Sequence, residues 1–505
     1  YDGEISINDR FFSLGGHSLN AVKLVHLINS ELKYSINLKT LFDFSTIKSL
    51  SNYLSSQDKK EVKNIPLSKK KDYYAITPSQ YEIWIASQNT NKSIANNMVA
   101  AFHVNGTLDT NKIDETINQL LSEHEILRTN FIEIEGSVYQ KINKKETIDF
   151  NISIAQVKER EVLESIKDFI NQTFNLEKDL LLKIQVLQID TSTAILVFCA
   201  HHIILDGWSL ERFTHDFSQY YRKDNENRSL NKNTIQFKDY AEWIVSSTET
   251  QKDNVFWGTY LKGYKIKESF TPDIFTNESN NNGNHLDFQL SLKETKVLNY
   301  FLRKKKATMH SFLIASLKIL IFKLSKHDDI VIGTVNSGRD KIELTNMLGM
   351  FVKTLPLRTK ISKELNFNTV LEFVSKGVLT IDQNQNIPTE YRNEMLYDAL
   401  VVFQNPDYSH HDTISLKEVE LTPYPIDVNH SKLPLLFDFN ENEGILSANL
   451  SYDMGKYSEE TIQLVVLKYK RLINEIISNP SIQIDDLDIS LDFEKQKTVD
   501  IDFNF

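Results

Sequence analysis

A continuous apolar run from Ala194 to Ala200 sets the strongest limit on the fold of this chain. Such a run predicts a strand that is buried on both faces, because a half-exposed strand would alternate with polar residues. Two histidines, His201 and His202, follow directly, and a short loop leads to Asp206 and Gly207. The run therefore predicts an α/β fold whose central strand ends in a loop with titratable side chains.

Helical and strand patterns alternate from Tyr73 onward. Helical spacing is found over 79–87, 112–124, 159–171 and 309–324, the last with Thr308 as its candidate cap. Strand patterns are found over 97–104 and 330–335.

Residues 1–57 instead predict a small all-α unit, in which Ser18 opens a helix directly after Gly15-Gly16 and Ser45 or Thr46 caps a later one. Because so small a unit is marginal alone, we expect a first helix to be missing before Tyr1. Residues 58–72, which are rich in Lys and include Pro66, predict a flexible tether.

Composition excludes several classes of function. The net charge of −11 disfavours nucleic acid, since binding to phosphates needs clustered Lys and Arg. No apolar run approaches the ~18 residues of a membrane helix, so we expect no membrane partner. The single cysteine, Cys199, allows no intrachain disulfide and suits a cytoplasmic location. We expect no metal, because neither the histidine pair nor His410-His411-Asp412 completes a zinc ligand set.

Two short segments carry the candidate chemistry. Ser18 at a helix start is either a plain helix cap or the carrier of a phosphate, which unpaired N–H groups at a helix N-terminus favour. Of His201 and His202, strand alternation directs only one toward a site, and histidine suits proton transfer near neutral pH. Asp206 is expected to be buried and paired with an arginine, and Gly207 to let the backbone approach a long substrate.

The sequence FFSLGGHSL, Phe11 to Leu19, resembles the attachment site of peptidyl carrier proteins in nonribosomal peptide synthetases. The resemblance implies a four-helix bundle over residues 1–57, with 4'-phosphopantetheine attached covalently to Ser18 by a phosphopantetheinyl transferase. It also implies that His17, where carriers that feed epimerases usually have Asp, favours a condensation partner.

The pattern HHxxxDG, His201 to Gly207, resembles the signature of condensation domains, and the family's other motifs follow the same order. They are similar to the segments at 77–84, 123–131, 237–243, 332–334, 338–339 and 348–358. The resemblance implies a two-lobed α/β domain like chloramphenicol acetyltransferase over residues 73–490, with an N-lobe of about 73–250 and a C-lobe of about 251–490. Residues 491–505 would begin a linker toward an adenylation domain.

The resemblance implies peptide-bond formation between thioesters on upstream and downstream carriers, in the biosynthesis of an antibiotic or siderophore. His202 would serve the reaction as a base or a hydrogen-bond acceptor, and His201 would support it. Arg339 is favoured over Arg358 as the partner of Asp206.

Trp208 and Ser209 after the signature favour condensation over epimerisation, and the intact histidines disfavour heterocyclisation and a non-catalytic docking module. The carrier disfavours a stand-alone acyltransferase. Lys353, where the family usually has Asn, and the weak motifs at 384–390 and 397–405 leave substrate choice open.

Overall fold

The computed structural model forms two compact units, and the first combines three stretches of sequence. The first unit contains the described residues of Tyr1–Thr248, Ser337–Val352 and His410–Ile426. The second unit contains the described residues of Glu249–Asn336, Lys353–Ser409 and Asp427–Phe505. The structure describes residues 5–14, 18–34, 36, 38–59, 64–88, 93–222, 235–247, 249–274, 283–388, 391, 396–404, 413–416, 419–426, 431–492 and 494.

The described strands and α-helices are numbered in chain order. The strands are β1 Tyr74–Ala75, β2 Asn97–Asn105, β3 Thr129–Ile134, β4 Ser137–Ile142, β5 Ser153–Gln156, β6 Leu182–Gln188, β7 Thr193–His201, β8 Gly283–Gln289, β9 Asp329–Asn336, β10 Lys353–Lys360, β11 Ala399–Phe403, β12 Ile414–Leu416, β13 Val419–Pro423, β14 Leu435–Asn442 and β15 Ile445–Asp453. The helices are α1 Ser18–Glu31, α2 Leu38–Asp43, α3 Ile47–Ser55, α4 Pro78–Ser87, α5 Thr110–Glu123, α6 Val162–Ile170, α7 Gly207–Arg222, α8 Phe237–Ser246, α9 Glu249–Tyr260, α10 Leu292–Lys305, α11 Met309–Ser325, α12 Ile342–Thr345, α13 Phe367–Asp382 and α14 Glu459–Ser478.

A six-stranded sheet organises the first unit, in the order β12-β13-β2-β7-β6-β5. The predicted buried strand is confirmed as β7, which lies between β2 and β6 and is buried from Ala194 to His201. The strands β12 and β13 join this sheet from a distant part of the sequence, so they belong to the first unit although they lie within the stretch of about 251–490 that was expected to form the C-lobe. A small sheet of β1, β4 and β3 completes the strands described in this unit.

The second unit has its own six-stranded sheet, in the order β10-β9-β11-β14-β15-β8. Helix α11 packs on this sheet as a core element, and its predicted cap is confirmed, since the Thr308 hydroxyl accepts the N–H of Ser311. Among the described residues, no single helix is long and apolar enough to cross a membrane. Within the same residues, α10 and α11 reach the length and apolar composition of a membrane span only when they are taken together, and a bend of 102° separates them.

Three helices, α1 to α3, are described in the N-terminal region. Helix α1 begins at Ser18, as predicted, and Thr46 rather than Ser45 caps α3 by accepting the N–H of Ser49 at 3.0 Å. Their apolar faces form a small core of Ala21, Val25, Ile28, Ile36, Leu41, Leu50 and Leu54.

The segment after these helices is not a free tether throughout. The sequence predicted a flexible linker over 58–72, but Ile65 is only 4% exposed and belongs to the core of the first unit. Ser68 and Lys71 bond to side chains of α8. The prediction is therefore wrong for residues 65–71, because polar composition by itself does not reveal complementary groups elsewhere in the chain.

Lys318 generates a test of how the second unit is held together. This lysine is fully buried on α11, and its Nζ donates to the carbonyls of Ile330 at 3.0 Å and Leu357 at 2.5 Å, so it joins β9 to β10. Burial lowers the pKa of Lys318 well below its usual range. A neutral amine still has two N–H groups, enough for both carbonyls.

We expect the stability of the wild-type protein to rise with pH toward the usual lysine pKa. In that window the unfolded chain binds a proton that the folded chain does not, so each fall in pH favours unfolding. Lys318→Met removes this titration, and its urea midpoint should depend less on pH between about 7 and 10. The control Lys296→Met, which removes an exposed lysine, should follow the wild type. Equal pH dependence of wild type and Lys318→Met would contradict the assignment.

Candidate active site

The candidate site is the loop between β7 and α7. Strand β7 ends at His201 and α7 begins at Gly207, so the predicted motif spans the turn from strand to helix. His201 is fully buried, whereas His202 is half-buried. The two neighbouring rings thus lie in different surroundings, as strand alternation predicts.

His201 is held by bonds on both of its ring nitrogens. Its Nδ1 accepts the backbone N–H of Ile203 at 3.2 Å, and its Nε2 lies 3.2 Å from the Ser87 hydroxyl. Ser87 donates its own proton to the Ile83 carbonyl, so Nε2 of His201 carries the hydrogen. The ring also meets the Phe174 ring edge to face. These contacts give His201 a packing role.

His202 has one ring nitrogen fixed by the backbone. Its Nδ1 lies 2.8 Å from the carbonyl oxygen of Leu205, which only accepts, so Nδ1 carries the hydrogen. The neutral ring then has its basic lone pair on Nε2. The main chain is fixed as well, because the His202 N–H donates to the Asn96 carbonyl at 2.8 Å. The loop therefore sets both the tautomer and the position of this ring.

Asp206 joins the loop to the segment Ser337–Val352. The carboxylate is fully buried, and its Oδ1 accepts the backbone N–H of Ser209 at 2.7 Å, which caps α7. The same oxygen lies 3.2 Å from Nη2 of Arg339, and Oδ2 accepts the N–H of Phe351 at 3.0 Å. The expected pairing of a buried Asp206 with Arg339 is confirmed.

Arg339 completes this network. Its Nη2 donates to the Ser209 hydroxyl at 2.6 Å, and its Nη1 donates to the Met347 carbonyl at 2.8 Å. The guanidinium lies 4.1 Å from the centre of the Phe351 ring, and 5.5 Å from that of Trp208. A planar, permanently charged group with several donors suits this combination of bonds and stacking.

Trp208 and Ser209 bind the same segment. The indole N–H of Trp208 donates to the Thr345 carbonyl at 3.0 Å. The Ser209 hydroxyl donates to the Gly349 carbonyl at 2.7 Å. Both residues were predicted to support the site, and both tie α7 to the segment that carries Arg339.

Gly207 and Gly338 differ in whether the surrounding structure requires a glycine at that position. A side chain at Gly207 would meet no atom within 4 Å, so packing in the described part of the chain does not demand glycine there. Gly338 has a φ of +66°, and a Cβ there would lie 2.1 Å from the Phe351 carbonyl oxygen. The glycine before Arg339 is thus needed for the close approach of two backbone segments.

Residues outside the motif also hold the loop, and no pattern in the sequence identifies them directly. Gln80 is fully buried, and its Nε2 donates to the carbonyl of Ile203, within the histidine loop, at 3.2 Å. Its Oε1 accepts the N–H of Thr77 at 3.0 Å in a capping box. The sequence TPSQ is a recognisable capping box, but a pattern of that kind does not identify the second partner.

Glu211 is a second residue that the sequence motifs do not indicate. It lies one turn after Gly207 on α7, and burial, together with the nearby charge of Asp206, raises the pKa of its carboxyl to about 8. The side chain is therefore largely neutral at neutral pH. A glutamate on an amphipathic helix normally indicates a solvated face, which explains why the pattern did not identify it.

Comparison with known proteins decides the family. Residues 70–499 match the family model of the condensation domain. This chain belongs to the condensation domain family. Residues 2–54 match the model of the phosphopantetheine attachment site, which shows that 4'-phosphopantetheine is the cofactor of the N-terminal part.

The relatives of this condensation domain are nonribosomal peptide synthetases. Bacitracin synthase 3 of Bacillus licheniformis is 28% identical over 98% of this chain and 8% of its own length. Surfactin synthase subunit 2 of Bacillus subtilis (strain 168) is 28% identical over 96% of this chain and 14% of its own. The chain therefore spans a small part of each of these relatives.

Solved structures support the condensation-domain fold, a two-lobed α/β architecture like chloramphenicol acetyltransferase. A four-domain nonribosomal peptide synthetase bound to AMP and glycine matches with a TM-score of 0.76 and 20% identity, over 85% of this chain and 35% of its own. The X-domain from teicoplanin biosynthesis matches with a TM-score of 0.77 and 20% identity, over 85% of this chain and 100% of its own.

Arg358 of the condensation domain has a partner of its own. Its Nη2 lies 2.7 Å from Oδ2 of Asp329, across the ladder of β9 and β10, and its Nε lies 2.9 Å from Oδ1. This pair raises the pKa of Arg358 and lowers that of Asp329. The alternative assignment of Arg358 to Asp206 is wrong, because Arg339 takes that position.

Lys353 contacts one of the weakly recognised motifs. Its Nζ lies 3.1 Å from Oε1 of Gln385 and 3.5 Å from Oδ1 of Asn386. Asn386 in turn donates its N–H and side-chain amide to Asp253 at 3.1 and 2.7 Å. Lys353, which stands where the family usually has Asn, thus bonds to residues of the weakly matching motif at 384–390.

Some predicted features lie outside the described residues. Gly15, Gly16 and His17, before Ser18, belong to this set, and so does His410-His411-Asp412. Within the described ranges, no group of three or more His, Cys, Asp or Glu residues is arranged to hold a metal ion.

The buried pair of Asp206 and Arg339 provides a test of the site's framework. We expect Asp206→Ala to lower the free energy of unfolding by about 3–5 kcal/mol, because it leaves a buried guanidinium without its carboxylate. Arg339→Met should also be strongly destabilising. The double variant should lose less free energy of unfolding than the sum of the two single losses, because each single variant already breaks the pair. Urea unfolding measures all three, and strictly additive losses would contradict a coupled pair.

Proposed function

We propose that this chain forms peptide bonds between aminoacyl or peptidyl thioesters held on carrier domains, with the upstream carrier delivering the donor. One observation carries the proposal: His202 has its Nδ1–H fixed by the Leu205 carbonyl, so that Nε2 is the basic nitrogen. Membership of the condensation domain family supports it.

We assign the attachment of 4'-phosphopantetheine to Ser18, on a bundle of carrier helices. Residues 2–54 match the attachment-site model, and α1 begins at Ser18 and runs to Glu31. A phosphodiester at that serine would meet the unpaired N–H groups and positive potential of the helix N-terminus. When bound, the arm supplies a terminal thiol that holds the acyl group as a reactive thioester.

His202 would act on the amine of the acceptor. Nε2 accepts a hydrogen bond from the attacking amine and takes its proton as the carbon–nitrogen bond forms. His202 then returns this proton to the donor sulfur as the carbon–sulfur bond of the thioester breaks, so that the donor leaves as a thiol. The same ring, oriented by Leu205, also fixes the direction of attack, and alignment of two tethered reactants contributes strongly to rate. Both contributions follow from one geometry, and His201 supports it by packing beneath the loop.

The other predicted residues hold this geometry. Asp206, Arg339, Trp208 and Ser209 fix the start of α7 to the segment Ser337–Val352, so they act as positioning residues. Gly207 leaves open space beside the loop, which suits the approach of a long thioester arm. Arg358 supports the second unit through Asp329.

Epimerisation of a carrier-bound residue is the second candidate, because it needs the same kind of positioned base. The contacts of Trp208 and Ser209 with Thr345 and Gly349 favour condensation, since epimerases usually lack these residues after the signature. A non-catalytic docking module is the third, and the X-domain of teicoplanin biosynthesis, solved in complex with OxyB, has the same fold. The intact, oriented His202 favours an enzyme.

The proposed partners follow from the reaction. Upstream and downstream carriers supply the two thioesters, adenylation domains load them, and a phosphopantetheinyl transferase modifies Ser18. Residues 491–505 would begin the linker toward an adenylation domain. The net charge of −11 supports the absence of nucleic acid from these partners, and we propose a cytoplasmic location away from membranes.

Loading of Ser18 is the first test. Incubation with coenzyme A and a phosphopantetheinyl transferase should raise the protein mass by one arm, and Ser18→Ala should abolish the gain. Intact-mass spectrometry measures both. The control Ser30→Ala, later on α1, should load like the wild type. An unchanged wild-type mass, under conditions that modify an unrelated carrier, would exclude the assignment.

His202 is the second test. In single-turnover reactions with a loaded donor and a loaded acceptor carrier, His202→Ala should slow amide formation by about 100- to 10,000-fold. Loading of Ser18 should be unaffected. His201→Ala should act mainly through a lower melting temperature, because the ring packs inside the unit.

Product formation by His202→Ala at the wild-type rate would refute its role. If the wild type forms no amide but exchanges the donor α-hydrogen with solvent deuterium, the activity is epimerisation.

A further inference from the structure

The segment between the N-terminal helices and β1 lies against helix α8. Ile65 is 4% exposed and packs into the core of the first unit. Three residues later, the N–H and the hydroxyl of Ser68 both donate to Oδ1 of Asp239, at 2.8 and 2.5 Å. A buried apolar side chain and a backbone hydrogen bond in one short stretch are features of a docked segment, not of a free chain.

Asp239, which accepts both of these hydrogen bonds, is a buried carboxylate. The carboxylate is 1% exposed, and its second oxygen accepts the N–H of Gln236 at 2.8 Å, at the start of α8. A buried carboxylate needs such charge-assisted bonds, and Ser68 supplies two of them. Without Ser68, one oxygen of this carboxylate would lose its described hydrogen-bond donors.

Glu242, one turn further along α8, binds the other end of the segment. Its Oε2 lies 2.7 Å from Nζ of Lys71, and its Oε1 accepts the N–H of Ala75 at 2.9 Å. The Lys71 N–H donates to the Tyr74 hydroxyl at 3.1 Å. The segment Ile65–Lys71, which we call the strap, is thus held by two carboxylates on one face of α8.

We propose that α8 is a docking surface for the strap, and that this contact sets how far the upstream carrier can travel. From the end of α3 at Ser55, the chain spans at most about 35 Å to Ile65 but about 65 Å to Tyr74. Docking therefore roughly halves the reach of the carrier. Effective concentration falls roughly as the −3/2 power of tether length, so the shorter tether raises it by about 3-fold.

The delivery of a donor by this carrier rests on the proposed function, but docking of the strap does not. The first measurement is therefore independent of activity. In the full chain, amide hydrogen exchange at Lys71 and Ala75 should be slow in the wild type. It should accelerate at least about 10-fold in Ile65→Ser/Ser68→Pro, which removes the buried side chain and both donors to Asp239, because the strap then opens locally. The control Lys69→Ala/Lys70→Ala changes two exposed lysines of the same strap and should exchange like the wild type.

The second measurement is the reach of the carrier. Cys199 is buried, so spin labels attached at Lys33→Cys and Lys141→Cys report the distance between the carrier helices and β4. The distance distribution should broaden in Ile65→Ser/Ser68→Pro and stay unchanged in the lysine control. In peptide formation, competition by a separate loaded donor carrier should become about 3-fold more effective in the strap variant.

The outcomes separate docking of the strap from the proposed function. Fast exchange at Lys71 and Ala75 in the wild type would overturn docking, and an unchanged distance distribution in the strap variant would overturn its control of reach. If the distances change as expected while no variant forms an amide, the docked strap stands and the proposed function fails.

Discussion

The ion pair between Asp206 and Arg339 is the interaction on which the site depends. The two residues are far apart in sequence, fully or nearly fully buried, and linked through Ser209 and the backbone of the segment Ser337–Val352. Because a buried charge without its partner is costly, the pair favours one arrangement of α7 against that segment. The start of α7 fixes the end of the histidine loop, and thereby Leu205 and the ring of His202.

The loop is stabilised from its other side by neutral groups. Gln80 bonds to the Ile203 carbonyl, and the Asn96 carbonyl accepts the N–H of His202. His201 fills the interior with both ring nitrogens bonded. Two adjacent histidines can therefore have different roles. The buried ring uses its nitrogens in bonds that hold the loop, whereas the half-buried ring has its tautomer set by a single carbonyl.

Helix α8 contacts both the segment that carries Arg339 and the strap. Its aromatic residues Phe237 and Tyr240 pack in the core, where both contact the Phe351 ring. Its carboxylates, Asp239 and Glu242, bind the strap instead. One short helix thus supports the segment that carries Arg339 and binds the strap that follows the N-terminal helices.

Local patterns were enough to predict the buried strand β7, the start of α1 at Ser18, the cap at Thr308 and the different surroundings of His201 and His202. Hydrophobic periodicity, capping chemistry and strand alternation act over a few residues, so the sequence carries them directly. The three-dimensional arrangement was needed to show that Arg339 pairs with Asp206 and that β12 and β13 join the sheet of β7. It was also needed to find Gln80 at the loop and the strap on α8. Each of these contacts brings together complementary groups from distant positions, and no local pattern encodes which distant group will be the partner.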